Sequence, residues 1–305
     1  MSYNLQDKLV VAVSSRALFD LEAENSIFEK NGLDSYYQYQ LDMENEPLEK
    51  GTGFRLVENL LKINRFFEND NKQVEVIILS KNNAATALRI TNAINGYGLD
   101  ITRSGWTSGN AIANYLKAFK VDLFLSANDQ DVLSAIENGV AAAKILPSQK
   151  DVHNSKGDQV RIAFDGDAVL FGEESELIFK EKGLEAFIEH EKLNKDNPLA
   201  QGPFAKFLHT ISNIQKSFAE EESPIRTALV TARSAPSHER VIRTLNVWGV
   251  RIDESFFMGG TDKYEVLEAF GADIFFDDKD THLEKSSQVV PSAKVISEKI
   301  DSYKN

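Results

Sequence analysis

The second half of the chain carries short polar motifs directly after apolar stretches. Four of them are Phe164-Asp165-Gly166-Asp167, Val230-Thr231-Ala232-Arg233-Ser234, Gly259-Gly260-Thr261-Asp262-Lys263 and Phe275-Phe276-Asp277-Asp278. Asp165 and Asp167, two residues apart, can divide the roles of attacking nucleophile and proton carrier. Acid pairs at this spacing also arise by chance in a chain with 47 Asp and Glu residues. The position of the pair between two apolar segments is what supports a functional role, because unpaired carboxylates next to a core are costly.

The other motifs favour binding of an anion and of a divalent cation. Thr231, followed by backbone N–H groups before a helix, is either a seat for an anion or an ordinary helix cap. Lys263 falls in the first turn of a predicted helix, where a cation is disfavoured by about 0.3–1 kcal/mol, so an anionic partner or simple solvation accounts for it. Asp277 and Asp278 lie at the end of a predicted strand, where they are either a pair of metal ligands or part of an ordinary turn. If that strand neighbours the first one, Asp277 approaches Asp165, and Mg²⁺ suits such carboxylate ligands.

Both halves alternate strand-like and helix-like patterns. Apolar stretches of strand length occupy 9–13, 74–79, 123–125, 160–164, 225–230 and 274–276, and amphipathic segments include 238–247 and 264–270. Near-continuous apolar strands between amphipathic helices predict an α/β fold with a parallel sheet covered on both faces. Ligands of such sheets bind outside the carboxyl ends of the strands, which is where the four motifs fall.

The two halves resemble each other at a constant offset. Ala163-Phe164-Asp165-Gly166-Asp167-Ala168 matches Ala12-Val13-Ser14-Ser15-Arg16-Ala17 at 163 − 12 = 151 residues, and the same offset pairs Gly32-Leu33 with Gly183-Leu184 and Pro47-Leu48 with Pro198-Leu199. One register kept over more than a hundred positions predicts a duplicated domain, 1–150 and 151–305, joined by the polar segment 147–159.

The first half lacks the polar residues of the four motifs. The positions equivalent to Asp165, Asp167, Thr231, Lys263, Asp277 and Asp278 hold Ser14, Arg16, Ser80, Ile112, Ser126 and Ala127. We therefore predict one catalytic site per chain, with residues 1–150 as a non-catalytic copy that packs against the second half or helps form an oligomer. Arg16 and Ser14 could bind an anionic effector, and the alternative is that Arg16 has only a structural role.

Composition excludes several classes of protein. With 34 Lys and Arg against 47 Asp and Glu, the net charge is −13, so broad binding to nucleic-acid polymers or anionic membranes is disfavoured. The chain has no cysteine, which excludes disulfides and thiolate metal sites and suits a cytoplasmic location. We read no signal peptide and no membrane span in it. The five histidines show no ligand spacing, so any metal is expected on oxygen.

The motifs together resemble known phosphotransferases. The order Asp-x-Asp, Thr, Lys, Asp-Asp is similar to the four-motif pattern of the haloacid dehalogenase superfamily. Longer phrases over about 8–282 resemble the cytosolic 5′-nucleotidase type I family. They are Ala163-Phe164-Asp165-Gly166-Asp167-Ala168-Val169-Leu170-Phe171, Pro198-Leu199-Ala200-Gln201-Gly202-Pro203, Leu229-Val230-Thr231-Ala232-Arg233-Ser234-Ala235, Ile274-Phe275-Phe276-Asp277-Asp278, Ala12-Val13-Ser14-Ser15-Arg16-Ala17-Leu18-Phe19-Asp20-Leu21 and Asn45-Glu46-Pro47-Leu48.

The resemblance implies Mg²⁺-dependent hydrolysis of nucleoside 5′-monophosphates by a cytoplasmic enzyme, and it favours a homo-oligomer. Asp165 would attack phosphorus and form an aspartyl phosphate, while Asp167 would protonate the leaving 5′-oxygen and then activate water. Thr231 and Lys263 would hold the phosphoryl oxygens. Asp277 and Asp278 would complete the metal shell beside Asp165 and the backbone carbonyl of Asp167. We expect a desolvated site that keeps a proton on Asp167 near neutral pH.

The resemblance also implies the fold and the substrate contacts. It predicts duplicated Rossmann-like, three-layer α/β/α domains, with a helical cap inserted after the first strand motif of the second half. The segment of about 172–224 is longer than a simple crossover needs, so we place the cap there. The predicted substrate-binding residues are Thr231, Arg233, Ser234, Lys263, Phe187, His190, Lys192, Asn194 and Gln201. Phe179 and Phe187 are also explained as the core of the cap.

Other functions compatible with these motifs stay open. A phosphatase of the same superfamily that acts on sugar phosphates or lipid headgroups would share the catalytic residues. A glycosyltransferase could use Asp-x-Asp to hold a metal-bound nucleotide sugar, but it would need neither the lysine nor the second acid pair. A non-catalytic nucleotide-binding protein is favoured only by the first half.

Overall fold

A computed structural model describes residues 3–68, 71–147 and 157–296 of the 305-residue chain. The chain divides into two compact units, Met1–Ile145 and Leu146–Asn305. Each is built from parallel strands and helices, so the predicted α/β class is confirmed. The predicted joint 147–159 and the C-terminal tail after residue 296 lie largely or wholly outside the described residues.

The first unit is a five-stranded parallel arrangement in the order β3-β2-β1-β4-β5. Its strands are β1 (Leu9–Val13), β2 (Val74–Ser80), β3 (Arg103–Trp106), β4 (Leu123–Ser126) and β5 (Ala141–Ile145). Its helices are α1 (Ser15–Leu18), α2 (Glu22–Asp42), α3 (Phe54–Lys62), α4 (Ala87–Gly96), α5 (Ala113–Ala118) and α6 (Asp129–Glu137), with a 3₁₀ turn at Ile63–Phe66. Every residue of β1 and β2 is buried, as expected of central parallel strands.

The second unit has the order β10-β9-β6-β7-β8, again parallel throughout. Its strands are β6 (Val160–Phe164), β7 (Ile225–Thr231), β8 (Glu254–Phe257), β9 (Ile274–Asp277) and β10 (Ser292–Lys294). Its helices are α7 (Glu174–Leu193), α8 (Ala205–Gln215), α9 (His238–Trp248), α10 (Tyr264–Phe270) and α11 (Asp280–Ser286), with a 3₁₀ turn at Glu220–Glu222. Four of the predicted strands, two in each unit, are one residue longer in the structure, because Ser80, Ser126, Thr231 and Asp277 still pair with a neighbouring strand.

Helices cover both faces of the second sheet, because successive strand residues point to opposite sides. Ala163 and Phe275 pack in one cluster with Leu267 and Phe270 of α10. Phe276 faces the other side, where its ring centroid lies 4.7 Å from that of Phe204, just before α8. The sequence pattern of near-continuous apolar strands is explained by this two-sided burial.

The two units share their element bounds at the offset of 151 residues. β1 and β6, β2 and β7, and β3 and β8 match end for end. Both long helices, α2 and α7, are broken at equivalent glycines, Gly32 and Gly183, each with φ 82° and ψ −177°. The units differ after their first strands, where α1 is replaced in the second unit by a turn in which Ala168 has φ 63°.

The long connection between β6 and β7 has two parts. α8 is buried on the sheet through Phe207, Leu208 and Ile211, so it serves as the crossover helix itself. α7 is largely exposed and precedes it. The segment of about 172–224 therefore contains the crossover helix α8 as well as additional residues before it, and a cap in this segment stays a prediction. None of the helices in residues 3–68, 71–147 and 157–296 is long and apolar enough to cross a membrane.

Candidate active site

The carboxyl ends of β6, β7 and β9 bring three predicted residues to one edge of the second sheet. β6 lies between β9 and β7, so Asp165 follows the central strand and has Asp277 and Thr231 on its two sides. All three residues are buried. Because parallel strands end at a common edge, a chain separation of more than a hundred residues between Asp165 and Asp277 does not keep them apart.

Lys263 joins two of these carboxylates. Its Nζ lies 2.9 Å from Asp165 Oδ1 and 2.7 Å from Asp277 Oδ2. The residue directly precedes α10 instead of lying in its first turn, which corrects the sequence prediction. Burial by itself would lower the pKa of Lys263, but Asp165 and Asp277 raise it overall. The ammonium is therefore charged and fully engaged with anions, so the solvated-lysine interpretation is wrong.

Asp277 is held in position by groups on its own chain segment. Its Oδ1 accepts a hydrogen bond from the backbone N–H of Lys279 at 2.8 Å, and His282 Nδ1 lies 2.9 Å from Oδ2. Burial would raise the pKa of Asp277, yet Lys263 and His282 lower it to about 2. Asp165 has weaker compensation, and burial raises its pKa to about 6. Asp165 and Asp277 thus have well-separated pKa values, although both contact the same lysine.

Asp278 has the surroundings expected of a metal ligand. Its Oδ1 is buried and makes no hydrogen bond. Burial, followed by the carboxylates of Asp165 and Asp277, raises the pKa of Asp278 to about 8. A divalent cation would offset this repulsion, and an all-carboxylate oxygen donor set suits Mg²⁺. The residues present therefore fit the cation that the sequence motifs predict.

His282 is the member of this cluster that sequence reasoning missed. One ligand atom each from Asp165, Asp277 and His282 lie within 4.8 Å of one another. Because His282 Nδ1 is already in contact with Asp277, its evident role is to orient that carboxylate. The sequence does place His282 four residues after Asp278, in the helix that follows this acid pair. The spacing between histidines does not reveal this position, because His282 has no second histidine near it.

Asp278→Asn is expected to stabilise the metal-free protein in a pH-dependent way. The folded state keeps a proton on Asp278 up to about pH 8, because burial and the neighbouring carboxylates raise the pKa of this side chain to about 8 from its ordinary value of 3.8. Between these values the folded state binds more protons than the unfolded state, so wild-type stability falls as pH rises. The asparagine variant escapes this loss. Its gain in melting temperature should be smallest near pH 4 and level off above about pH 8 in EDTA; an equal gain at all pH values would contradict the assignment.

Thr231 lies against the backbone of the Asp-x-Asp turn. A Cβ built at Gly166 would lie 3.2 Å from Thr231 Oγ1, so the glycine allows a close approach. Thr231 Oγ1 accepts a hydrogen bond from the backbone N–H of Arg233 at 3.3 Å. The hydroxyl therefore keeps its own hydrogen for donation to a ligand oxygen.

Asp167 and Arg233 form an ion pair that was not foreseen. Arg233 Nη2 lies 2.6 Å from Asp167 Oδ1, and Nε lies 2.8 Å from Oδ2. Arg233 also contacts Glu191 of α7, a fully buried carboxylate that accepts a second bond from Arg240. Arg233 is thus committed to protein carboxylates and is not a free cation for substrate. Asp167 thus lies in a two-pronged contact with a guanidinium, which the sequence did not predict.

Arg233→Lys is expected to destabilise the protein by about 1–3 kcal/mol. An ammonium is a point charge and cannot reproduce a fork that reaches Asp167 on one side and Glu191 on the other. Urea unfolding at neutral pH measures the change. Arg243→Lys is the matched control, because Arg243 forms an ion pair with Glu239 at an exposed position, and its cost should be within about 0.5 kcal/mol. Equal effects of the two variants would contradict the network.

The remaining predicted substrate residues have diverse surroundings. Ser234, Lys192 and Gln201 are exposed. Phe187 is buried under the Arg233 guanidinium at 5.3 Å from ring centroid to Cζ, with an edge contact to Phe179. His190 and Asn194 contact each other at the end of α7. The packing of Phe187 favours the core interpretation, while the base and ribose contacts stay predictions.

Three further charged residues near the site, Lys279, Glu176 and Glu191, were not predicted from the sequence. Lys279 pairs with Glu176 at 3.2 Å. Burial would lower the pKa of Lys279, but Glu176, Asp165 and Asp278 raise it overall. A lysine directly after Asp277-Asp278 was visible in the sequence. Glu176 and Glu191 were not distinguishable from the other acids of a charged helix, because only tertiary contacts bury them.

The sequence of the chain is similar to those of known proteins. Human cytosolic 5′-nucleotidase 1B is 39% identical to the chain over 293 residues, which cover 93% of this chain and 48% of the human protein. The chain therefore spans about half the length of this curated relative. No solved structure matched the chain. The family model described as 5′-nucleotidase matches residues 1–302, and the chain thus belongs to the 5′-nucleotidase family.

Proposed function

We propose that the chain hydrolyses nucleoside 5′-monophosphates to nucleoside and phosphate, with Asp165 as nucleophile. The observation that carries this proposal is the buried Lys263 between Asp165 and Asp277, at the edge of the sheet where Thr231 also ends its strand. Phosphoryl transfer requires mainly in-line positioning and neutralisation of charge on the phosphoryl oxygens. Family membership supports the nucleotide as substrate.

The attacking atom is Asp165 Oδ2. Lys263 Nζ and the backbone N–H of Gly166, at 2.9 and 2.7 Å, both contact Oδ1 and so fix the plane of the carboxylate. Oδ2 attacks phosphorus, the bond from phosphorus to the 5′-oxygen breaks, and an aspartyl phosphate forms. Water then attacks phosphorus and restores the carboxylate. Thr231 and Lys263 hold the phosphoryl oxygens during both steps.

Asp167 is the proton carrier, and Arg233 positions it. Its side chain is 15% exposed, in contrast to that of Asp165 at 4%, so it can reach the leaving oxygen. In the first step Asp167 gives a proton to the leaving 5′-oxygen, and after the nucleoside has left it takes a proton from the attacking water.

Asp165, Asp277 and Asp278, with the backbone carbonyl of Asp167, would hold Mg²⁺. When bound, the cation supplies positive charge to a phosphoryl oxygen. The unpaired, buried Oδ1 of Asp278 supports this assignment. Asp277, already oriented by Lys279 and His282, needs little rearrangement to serve as a ligand.

The architecture is that of duplicated haloacid dehalogenase-like domains with three-layer α/β/α order. Equal strand orders and the shared offset of 151 residues support the duplication. Residues 151–305 form the catalytic domain and 1–150 the degenerate copy. α7, broken at Gly183 and largely exposed, is the main element of the cap, and it contributes Glu191 to the Arg233 network. The name of the human relative supports a cytoplasmic location, and a homo-oligomer remains our expectation.

Phosphate release from a panel of nucleoside 5′-monophosphates and sugar phosphates, with Mg²⁺ or with EDTA, tests the proposal. We expect release from nucleotides that requires Mg²⁺ and a ranking of the four bases. Release from sugar phosphates alone would keep the chemistry and reject the substrate. No release from any compound would reject the enzyme and favour a nucleotide-binding protein.

A further inference from the structure

The first unit contains a cavity of about 480 Å³ at the edge of its sheet that corresponds to the active-site edge of the second unit. Its floor is formed by Ser14, Ser80 and Ser126, which end β1 or lie at the ends of β2 and β4. Pockets for small molecules span about 300–1,000 Å³. The degenerate copy has therefore lost the catalytic residues without filling the space that they occupied.

The cavity lacks the carboxylates and the lysine that stand at the equivalent strand ends of the second unit. Ser14 and Ser126 stand where the second unit has the carboxylates Asp165 and Asp277. Buried Ile112 replaces Lys263, and two further lining residues, Ala127 and Asn128, replace Asp278 and Lys279. These positions therefore supply no charge to a ligand.

The two cations that line the cavity are already paired with carboxylates. Arg16 contacts Glu22 at 2.8 Å and donates to Asn25 at 2.9 Å. Lys81 lies 2.6 Å from Asp131. The anionic effector considered for Arg16 would have to compete with Glu22 in a protein of net charge −13. Local and overall charge both favour an uncharged ligand.

Hydroxyl and amide groups supply the polar part of the site. Ser14 Oγ accepts the backbone N–H of Ala17 at 3.3 Å, and Ser126 Oγ accepts that of Asn128 at 3.2 Å. Each hydroxyl therefore keeps its own hydrogen for a ligand oxygen or ring nitrogen. Asn82, anchored by Tyr36 at 2.9 Å, adds an amide. These donors suit a sugar with free hydroxyls.

The mouth of the cavity is apolar. Phe28 is 48% exposed and Leu33 is 62% exposed, although both line the cavity. Phe28 meets the ring of Tyr36 edge to face, with centroids 6.0 Å apart and planes at 78°. A pair of exposed apolar side chains beside a row of hydroxyls suits a ligand with a flat aromatic end and a polar end.

We propose that this cavity binds an uncharged nucleoside. The polar floor takes the ribose hydroxyls, and Phe28 and Leu33 cover the base. Other ligands also combine a flat apolar end with a hydroxylated end. We choose a nucleoside because it is the product of the proposed hydrolysis, so this choice rests on the proposed function. The first unit is then a second binding site for the dephosphorylated product.

The duplication provides a matched pair of variants for the test. Phe28 and Phe179 are equivalent, with 48% and 49% exposure, and each makes an edge contact with the aromatic residue eight positions later. Phe28→Ala alters only the first unit and Phe179→Ala only the second. Leu33→Ala is a second variant of the cavity mouth. Because all three side chains are exposed, thermal melting should show unchanged folding.

Binding of adenosine, guanosine, cytidine and uridine is measured by calorimetry on the full chain. Amide hydrogen exchange is followed over 21–36 and 80–86. We expect at least one nucleoside to slow exchange in both segments. Its affinity for the first unit should fall about tenfold in Phe28→Ala and in Leu33→Ala, and it should be unchanged in Phe179→Ala.

Three results would overturn the proposal. They are no protection of 21–36 and 80–86 by any nucleoside, equal losses in Phe28→Ala and Phe179→Ala, and tighter binding of the 5′-monophosphates at these segments. Phosphate release by the same preparation separates the two proposals. Turnover without protection rejects only the second site, and protection without turnover rejects the hydrolase while the cavity still binds the nucleoside.

Discussion

Replacing Asp165 with Asn is expected to lower phosphate release from nucleoside 5′-monophosphates by at least about 10³-fold. An amide oxygen is a poor nucleophile and a poor ligand for Mg²⁺. The variant should fold, because the amide oxygen can still accept hydrogen bonds from Gly166 N–H and Lys263, the partners of Asp165 Oδ1. Initial rates at saturating Mg²⁺ measure the effect.

Asp100→Asn is the control for the Asp165 variant. It makes the same chemical change at an exposed carboxylate that pairs with Lys72 in the first unit. Its rate should stay within about twofold of the wild type, since exposed ion pairs contribute little. If Asp165→Asn retained most of the activity while Asp100→Asn did so too, another group would have to be the nucleophile.

Lys263→Met should lower both stability and activity. The substitution removes the cation between two buried carboxylates, which leaves Asp165 and Asp277 facing each other. Loss of one partner from a buried ion pair costs about 3–5 kcal/mol. Loss of a phosphoryl contact is expected to lower the rate by about 10²–10³-fold. Urea unfolding in EDTA and phosphate release in Mg²⁺ measure the two effects separately.

Mg²⁺ and a surface lysine provide the controls for Lys263→Met. If the three carboxylates bind Mg²⁺, saturating cation should restore part of the lost stability by linkage, but it should not restore the rate. Lys285→Met removes a lysine whose partner, Asp262, is also exposed. Its stability should change by less than about 0.5 kcal/mol. A Lys263 variant with wild-type stability and rate would contradict the site.

The asymmetry between the two units has a physical basis. Ser14, Ser80 and Ser126 need no countercharge, so the first unit keeps its strand ends without a lysine, and a buried Ile112 is tolerated where Lys263 stands in the second unit. The second unit concentrates three carboxylates and must neutralise them. The strand ends of the first unit thus carry uncharged serines, whereas those of the second unit carry carboxylates with a buried lysine between two of them.

The sequence alone predicted the strands, the polar motifs that follow them and the resemblance between the two halves. Strand ends could be recognised because buried parallel strands are near-continuously apolar, so Asp165, Thr231 and Asp277 stand out where the apolar pattern stops. The offset of 151 residues likewise needed only one-dimensional comparison. From these features the α/β class and the family resemblance both followed.

Only the tertiary structure decided the pairing of charges. Arg233 was expected to meet substrate, yet it lies against Asp167, 66 positions away, and Glu191, 42 positions away. His282 and Lys279 gained their roles in the same way, by contact with Asp277 and Glu176. The open cavity of the first unit was also invisible in the sequence, which showed lost carboxylates but not the space that remained. Ion pairs and cavities depend on distances between side chains from different elements, and no local pattern of residue types encodes those distances.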